Sequence, residues 1–209
     1  MIEQGTEEWH AQRLGKFTAS RMKDLMARAK KDGSFLKAAQ DYMDEVLSER
    51  LTGKASPKPV TYAMQRGTDL EPEARNNYAF EVGVQISQPE FVGHPDFESV
   101  GASPDGYIGE DGLLEIKCPE SLTKHLTYLK DKAHVKEYWW QVQCQLWVTG
   151  RKWCDLVSYH PDFPHALQLA IARIEPDAKA FEAMKEAVMQ ADAQISEALK
   201  SIQELQAAA

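Results

Sequence analysis

The sequence predicts an α/β domain, a small central mixed β-sheet flanked by helices. Three observations carry that expectation. Long stretches repeat apolar residues at intervals of three and four, the period of an amphipathic helix. Between them lie short runs that alternate apolar and polar residues, the period of a strand. The 209 residues, 43% hydrophobic and 27% charged, suffice for one full core. Residues 1–209 therefore read as a single domain.

The elements follow in order. "TASRMKDLMARAK" reads as a helix, with Thr18 or Ser20 as its cap and Met22, Leu25, Met26 and Ala29 on one face. "SFLKAAQDYMDEVLSERLTG" reads as a second, with Phe35, Leu36, Ala39, Tyr42, Met43, Val46 and Leu47 near the helical period and its end at Gly53. "ASPKPV" is a loop too short to link domains. "YAMQRGTDLEPEARNNYAFEVG" reads as a third helix, with Pro72 either in its first turn or at a kink. "VQISQPEFVGH", "SVGAS", "LLEIKC", "CDLVSYH" and "LQLAIARI" read as strands of one central sheet. Before the last two, "HVKEYWWQVQCQLWVTG" reads as a helix ending at Gly150, its Trp139, Trp140, Leu146 and Trp147 packed inward. A C-terminal amphipathic helix at about 176–205 presents Phe181, Met184, Val188, Ile195, Leu199, Ile202 and Leu205, and is expected to pack on its own domain.

Composition narrows the function. A net charge of −8 argues against a surface that grips nucleic acid broadly, since that grip rests on Lys and Arg neutralising phosphates. A concave site can still focus a positive field, and a cation site needs carboxylates. Cys118, Cys144 and Cys154 have no CxxC spacing and read as small buried hydrophobes, not a disulfide framework or zinc site. No stretch approaches the roughly 18 apolar residues of a membrane span, and "MIEQGTEEWH" lacks a secretory signal, so the expected location is cytoplasmic with no membrane partner. No Ser-His-Asp arrangement, P-loop or GxGxxG is visible, which leaves metal-based chemistry.

The stretch "GASPDGYIGEDGLLEIKCPE" is where that chemistry concentrates. In a strand, Glu115 and Lys117 share one face while Leu114, Ile116 and Cys118 take the other. The charged face is expected to be the exposed one. Gly106 and "GEDG" suggest a hairpin that folds Asp105 back beside Glu115. Two carboxylates and a lysine then converge, a set suited to Mg²⁺, which keeps several waters and takes one or two carboxylates. Such a cation activates water and stabilises charge on a phosphoryl oxygen. Taken alone, the same residues also fit a solvated edge strand after an ordinary Pro-Asp-Gly turn.

The combination resembles a known family. "SPDG" followed by "EIK" is similar to the PD-(D/E)xK nuclease motif, and its surroundings resemble the phage lambda exonuclease type, the YqaJ-like viral recombinase nucleases. "EEWHAQRLGKFTASRM", "GTDLEPEAR", "GASPDG", "LLEIKCP" and "WWQVQCQLWVTG" resemble the family's blocks in the family's order. The resemblance implies a restriction-endonuclease-like core and Mg²⁺-dependent 5′→3′ exonuclease action on double-stranded DNA, with two ions per site and Mn²⁺ as an alternative. It also implies a homotrimeric ring and a single-strand annealing protein as partner.

By the same resemblance, Asp105, Glu115, the Ile116 carbonyl and Glu71 are metal ligands, and Lys117 is the catalytic lysine. Of the two glutamines Gln141 and Gln143, about 200° apart on a helix, Gln143 is favoured as the one facing the site. Arg13, Ser20 and Ser103 match the family's pocket for a 5′-terminal phosphate. His10, beside Trp9, reads as structural. A DNA endonuclease or single-strand nuclease of the same superfamily, and a non-catalytic DNA-end-binding scaffold, remain open at this point.

Overall fold

In the computed structural model, residues 6–56 and 59–207 are described. Pro57 and Lys58, inside the expected loop, lie outside them. A short helix α1 (Glu7–Arg13) comes first, capped by the Thr6 hydroxyl, which accepts from the Trp9 N–H. Strand β1 (Phe17–Thr18) leads through a 3₁₀ turn at Ala19–Arg21 into α2 (Met22–Leu25). The expected long helix from Thr18 is thus cut to its first turns. Chain reversal around Gly33 draws Arg28 into a bridge with Phe35, and the Arg28 guanidinium lies 4.2 Å from the Phe35 ring centroid. Thr18 does not cap the turn with its side chain. Its N–H donates instead to the Tyr42 hydroxyl at 2.8 Å.

Helices α3 (Lys37–Thr52) and α4 (Tyr62–Val82) match their predicted spans, and α3 ends at Gly53 in the left-handed region. Pro72 is interior to α4, not in its first turn. It offers no N–H to the Thr68 carbonyl one turn back. Short strands β2 (Ile86–Ser87), β3 (Val92–Gly93) and β4 (Val100–Ala102) precede the hairpin of β5 (Gly106–Ile108) and β6 (Gly112–Lys117). The chain then crosses over through α5 (Leu122–Asp131) and α6 (Ala133–Thr149) to β7 (Trp153–Tyr159), β8 (Leu169–Ile174) and the long α7 (Ala178–Ala207). Sequence reading missed α1 and α5, which are only 7 and 10 residues long.

The strands form two sheets rather than one. β4 lies between β1, parallel to it, and β3, antiparallel. The larger mixed sheet runs β2-β5-β6-β7-β8, with only the β6–β7 pair parallel, as a crossover requires. Leu114, Ile116, Val157 and Tyr159 of this sheet pack toward Ala74 and Tyr78 of α4. Leu113, Leu156 and Cys154 pack toward Val142 and Leu146 of α6. A third cluster joins α2, α3, α7 and the small sheet through Phe17, Leu25, Tyr42 and Met184. Helix α7 packs into this cluster through Met184, Val188 and Ile195, while Leu205 in its last turns is exposed. Among the described residues no helix is long and apolar enough to cross a membrane.

The strand β6 is therefore covered on both faces. The expectation that Glu115 stands on an exposed face is corrected: helix α6 roofs that face, and Glu115 is only 2% exposed. A parallel crossover places a helix over the sheet, and here that helix carries the polar groups a buried carboxylate needs.

Candidate active site

The hairpin delivers Asp105 to Glu115 as its turn chemistry predicts. The Asp105 N–H donates to the Leu114 carbonyl at 3.1 Å, and the Asp105 carboxylate accepts from the Ile116 N–H at 2.6 Å. Glu115 Oε1 receives the Lys117 ammonium at 2.6 Å and the Gln141 amide at 2.5 Å. Its Oε2 receives the Gln145 amide at 2.6 Å. The Lys117 Nζ also stands 4.7 Å from the Tyr138 ring centroid. From the facing wall, Glu71 of α4 pairs with Arg75 one turn along, and Arg75 donates to the Asp105 carbonyl at 3.1 Å.

Asp105, Glu115, Lys117, Tyr138, Gln141 and Glu71 line one cleft of about 660 Å³ that also includes Ile116, Trp9, Arg13, Ser20 and Ser103. Arg13 gives one guanidinium nitrogen to the Ser103 hydroxyl at 3.3 Å and the other to Ser20 at 3.4 Å. Its guanidinium lies over the Trp9 ring, 4.1 Å from the centroid, and the Trp9 indole N–H donates to Ser103 at 3.1 Å. Gly101 keeps this corner compact. A Cβ there would fall 2.0 Å from the Phe91 ring, and that ring sits under Arg13, 5.9 Å from the guanidinium.

The electrostatics describe a site short of positive charge. Burial, then the neighbouring Glu115 and Glu71, push Asp105 well above the usual carboxylate range. Burial also raises Glu71, with Glu115 adding to the effect and Arg75 offsetting part of it. Burial pulls the Lys117 ammonium down, but Glu115 and Asp105 outweigh it and the net shift is upward. Burial, helped by Asp105, lifts the Cys118 thiol to about 12, so Cys118 is a neutral wall of the cleft and not a nucleophile.

This donor set fits a hard divalent cation. Its side-chain donors are all oxygens, and a cation placed among clustered carboxylates stabilises their charged form. Among the described residues no three acidic, His or Cys side chains are gathered tightly enough to form a closed cage. Mg²⁺ does not need one, since it retains waters and binds through one or two carboxylates.

The structure brings Asp105, Glu115, Lys117 and Glu71 to one cleft, and Arg13, Ser20 and Ser103 to one corner of it. The preference for Gln143 is corrected. Gln143 is fully buried and turned away from the cleft, its amide donating to the Glu175 carbonyl at 2.8 Å and its carbonyl accepting from the Asp177 N–H at 2.8 Å. It ties the start of α7 to α6. Gln141 faces Glu115 instead. Gln145 and Trp9 were missed as site residues, although the signal was present: Gln141 and Gln145, like Trp9 and Arg13, are four apart and so share a helix face. His10 is exposed and meets Trp9 edge-on, with ring centroids 4.9 Å apart.

Residues 8–152 match the YqaJ-like viral recombinase domain. The chain belongs to that family. LHK-Exo, an alkaline exonuclease from Laribacter hongkongensis, is 39% identical and superposes with a TM-score of 0.87, over 97% of this chain and 98% of its own. Its complex with dAMP matches equally well. A phage-related exonuclease from Haemophilus somnus shares the fold at 15% identity, with a TM-score of 0.77 over 90% of this chain and 96% of its own. No curated protein matches. Nucleases of the YqaJ-like family hydrolyse DNA, which places the chain among the phosphodiester hydrolases.

Proposed function

We propose that this YqaJ-like protein is a divalent-metal-dependent exonuclease that degrades one strand of double-stranded DNA 5′→3′ to mononucleotides. The 3′ single strand left behind would serve recombination by strand annealing. The observation that carries this reading is the joining of two sites in one cleft: a carboxylate and lysine centre, and a guanidinium that meets hydroxyls and an indole. The first suits phosphodiester cleavage, the second a terminal phosphate. The likeness to LHK-Exo, and that enzyme's complex with dAMP, support an exonuclease releasing mononucleotides.

Asp105, Glu115, Glu71 and the Ile116 carbonyl would hold Mg²⁺, or Mn²⁺, at two ions per site. A bound cation supplies a more acidic water and a charge to balance the leaving oxygen. Lys117, fixed by Glu115 and by the Tyr138 ring, contributes a preorganised positive charge beside the scissile phosphate. Gln141 holds Glu115 in orientation. Arg13, Ser20 and Ser103 bind the 5′-terminal phosphate and so determine which end enters. A homotrimeric ring would reconcile a charge of −8 with a DNA substrate, because only the channel lining must be basic. A single-strand annealing protein completes the proposed set of partners.

Asp105→Asn, Glu115→Gln and Lys117→Ala test the reading together. Each folded variant should lose nucleotide release from linear duplex by about 10²-fold or more, the usual loss when a preorganised charge is removed. Retained cleavage in Lys117→Ala at saturating Mg²⁺ would refute the mechanism. Sedimentation showing only monomer at concentrations where degradation is processive would remove the ring.

A further inference from the structure

Gln145 lies outside the expected site, yet it is the group that grips Glu115 from behind. Its side chain is fully buried and its amide donates to Glu115 Oε2 at 2.6 Å. Oε1 of the same carboxylate is held by Lys117 and Gln141. The Gln145 Oε1, also buried, has no hydrogen-bond partner among the described residues. A buried acceptor left unpaired is costly, and native proteins keep few of them. A buried amide whose N–H₂ meets a carboxylate while its carbonyl goes unsatisfied is placed for the sake of that one contact.

We propose that Gln145 is a positioning residue for metal binding: it fixes the Glu115 carboxylate so that the oxygen facing the cleft is presented at the angle a cation requires. Helix α6 is well suited to this, because residues four apart stack on one face. Gln141, one turn earlier, reaches Glu115 from the cleft side, where it is half-buried and lines the cavity. Gln145 reaches it from the protein interior and does not line the cleft. The two amides and the Lys117 ammonium thus hold both oxygens of the Glu115 carboxylate. Hydrogen-bonded outer partners of this kind commonly contribute 10–100-fold to metal affinity. The inference rests on the metal-dependent reading above, but the residue does not touch substrate.

The test is direct Mn²⁺ binding, measured by the loss of the free-ion electron paramagnetic resonance signal, on wild-type protein, Gln145→Leu, Gln145→Asn and Glu115→Gln. Leu removes the donor. Asn keeps an amide but withdraws it by one methylene, which guards against a variant that fails to fold. The expected result is Mn²⁺ affinity about 10–100-fold weaker in both Gln145 variants, with the metal concentration for half-maximal rate raised by the same factor, so that excess metal recovers activity. Wild-type Mn²⁺ affinity in folded Gln145→Leu or Gln145→Asn, with Glu115→Gln binding weakly, would overturn this inference alone. Failure of the wild-type protein to bind Mn²⁺ would overturn the metal-dependent reading and this inference with it.

Discussion

If Arg13 grips a 5′-terminal phosphate as proposed, replacing it by Gln should abolish a preference of the wild-type protein for 5′-phosphorylated over 5′-hydroxyl ends. Gln retains most of the side-chain length over Trp9 and removes the charge. The guanidinium presents two nitrogens, 3.3 Å from the Ser103 hydroxyl and 3.4 Å from Ser20, so a phosphate seated among the three groups would receive a two-pronged, charge-assisted grip. Each hydrogen bond to a charged group contributes about 1.5–3 kcal/mol. Two of them, discounted for a cleft open to water, give about 3 kcal/mol, or roughly 150-fold in kcat/KM. Ser20 and Ser103 would remain as neutral donors. The assay compares initial rates on linear duplexes with 5′-phosphoryl and 5′-hydroxyl ends. The loss should fall on the phosphorylated substrate and appear mainly in KM, leaving the hydroxyl substrate within a few-fold of wild type. Equal losses on both substrates would refute the pocket and make Arg13 a packing residue.

Other residues give equally definite expectations. Trp9→Phe should keep most of the end preference, because the ring under Arg13 survives, whereas Trp9→Leu loses both the stacking and the Ser103 contact and should weaken it by about 10-fold on the basis of roughly 1–2 kcal/mol for a cation–π pair and a hydrogen bond. In chelator, Asp105→Asn should raise the melting temperature by roughly 2–6 °C, from a gain of about 1–1.5 kcal/mol. Burial and neighbouring carboxylates raise the folded pKa of Asp105 above its unfolded value. Its ionised form therefore subtracts stability as pH climbs from the unfolded pKa through the folded one, and the gain from Asn should shrink below about pH 4. Gln143→Leu should cost about 2–4 kcal/mol by stranding the Glu175 carbonyl and Asp177 N–H, and should leave Mn²⁺ affinity untouched. A Gln143 variant with normal stability and weakened metal binding would reverse the assignment of the two glutamines.

What the sequence revealed and what it concealed follow from the range of each signal. The period-two pattern of β6 put Glu115 and Lys117 on one face, and the Pro104-Asp105-Gly106 turn put Asp105 beside them; both are local effects, and the fold preserves both. Helices α3, α6 and α7 were legible because each buries an apolar stripe, and α4 was legible through its length and its end at Gly83, although it buries only Ala74 and Tyr78. The burial of Glu115 was not legible, because it depends on α6 crossing over β6, a contact between distant parts of the chain. The same crossover decided between Gln141 and Gln143: helical spacing separates them, but only the docking of α6 shows which direction is inward. Shortening of α2 depended on Arg28 meeting Phe35 across a turn, a pairing with no periodic signature. The split into two sheets was hidden by strands of two and three residues, too short for alternation to register.

The measurement that bears most directly on the proposed activity is digestion of linear duplex DNA labelled at one 5′ or one 3′ end, with Mg²⁺ or with chelator, beside a covalently closed circle. Release of the 5′ label as a mononucleotide at the outset, loss of the 3′ label only after the strand has been consumed, an intact circle, and no reaction in chelator are the predicted results. Nicking of the circle, initial release from the 3′ end, or cleavage that persists in chelator would contradict a metal-dependent exonuclease that enters at a 5′ end held by Arg13.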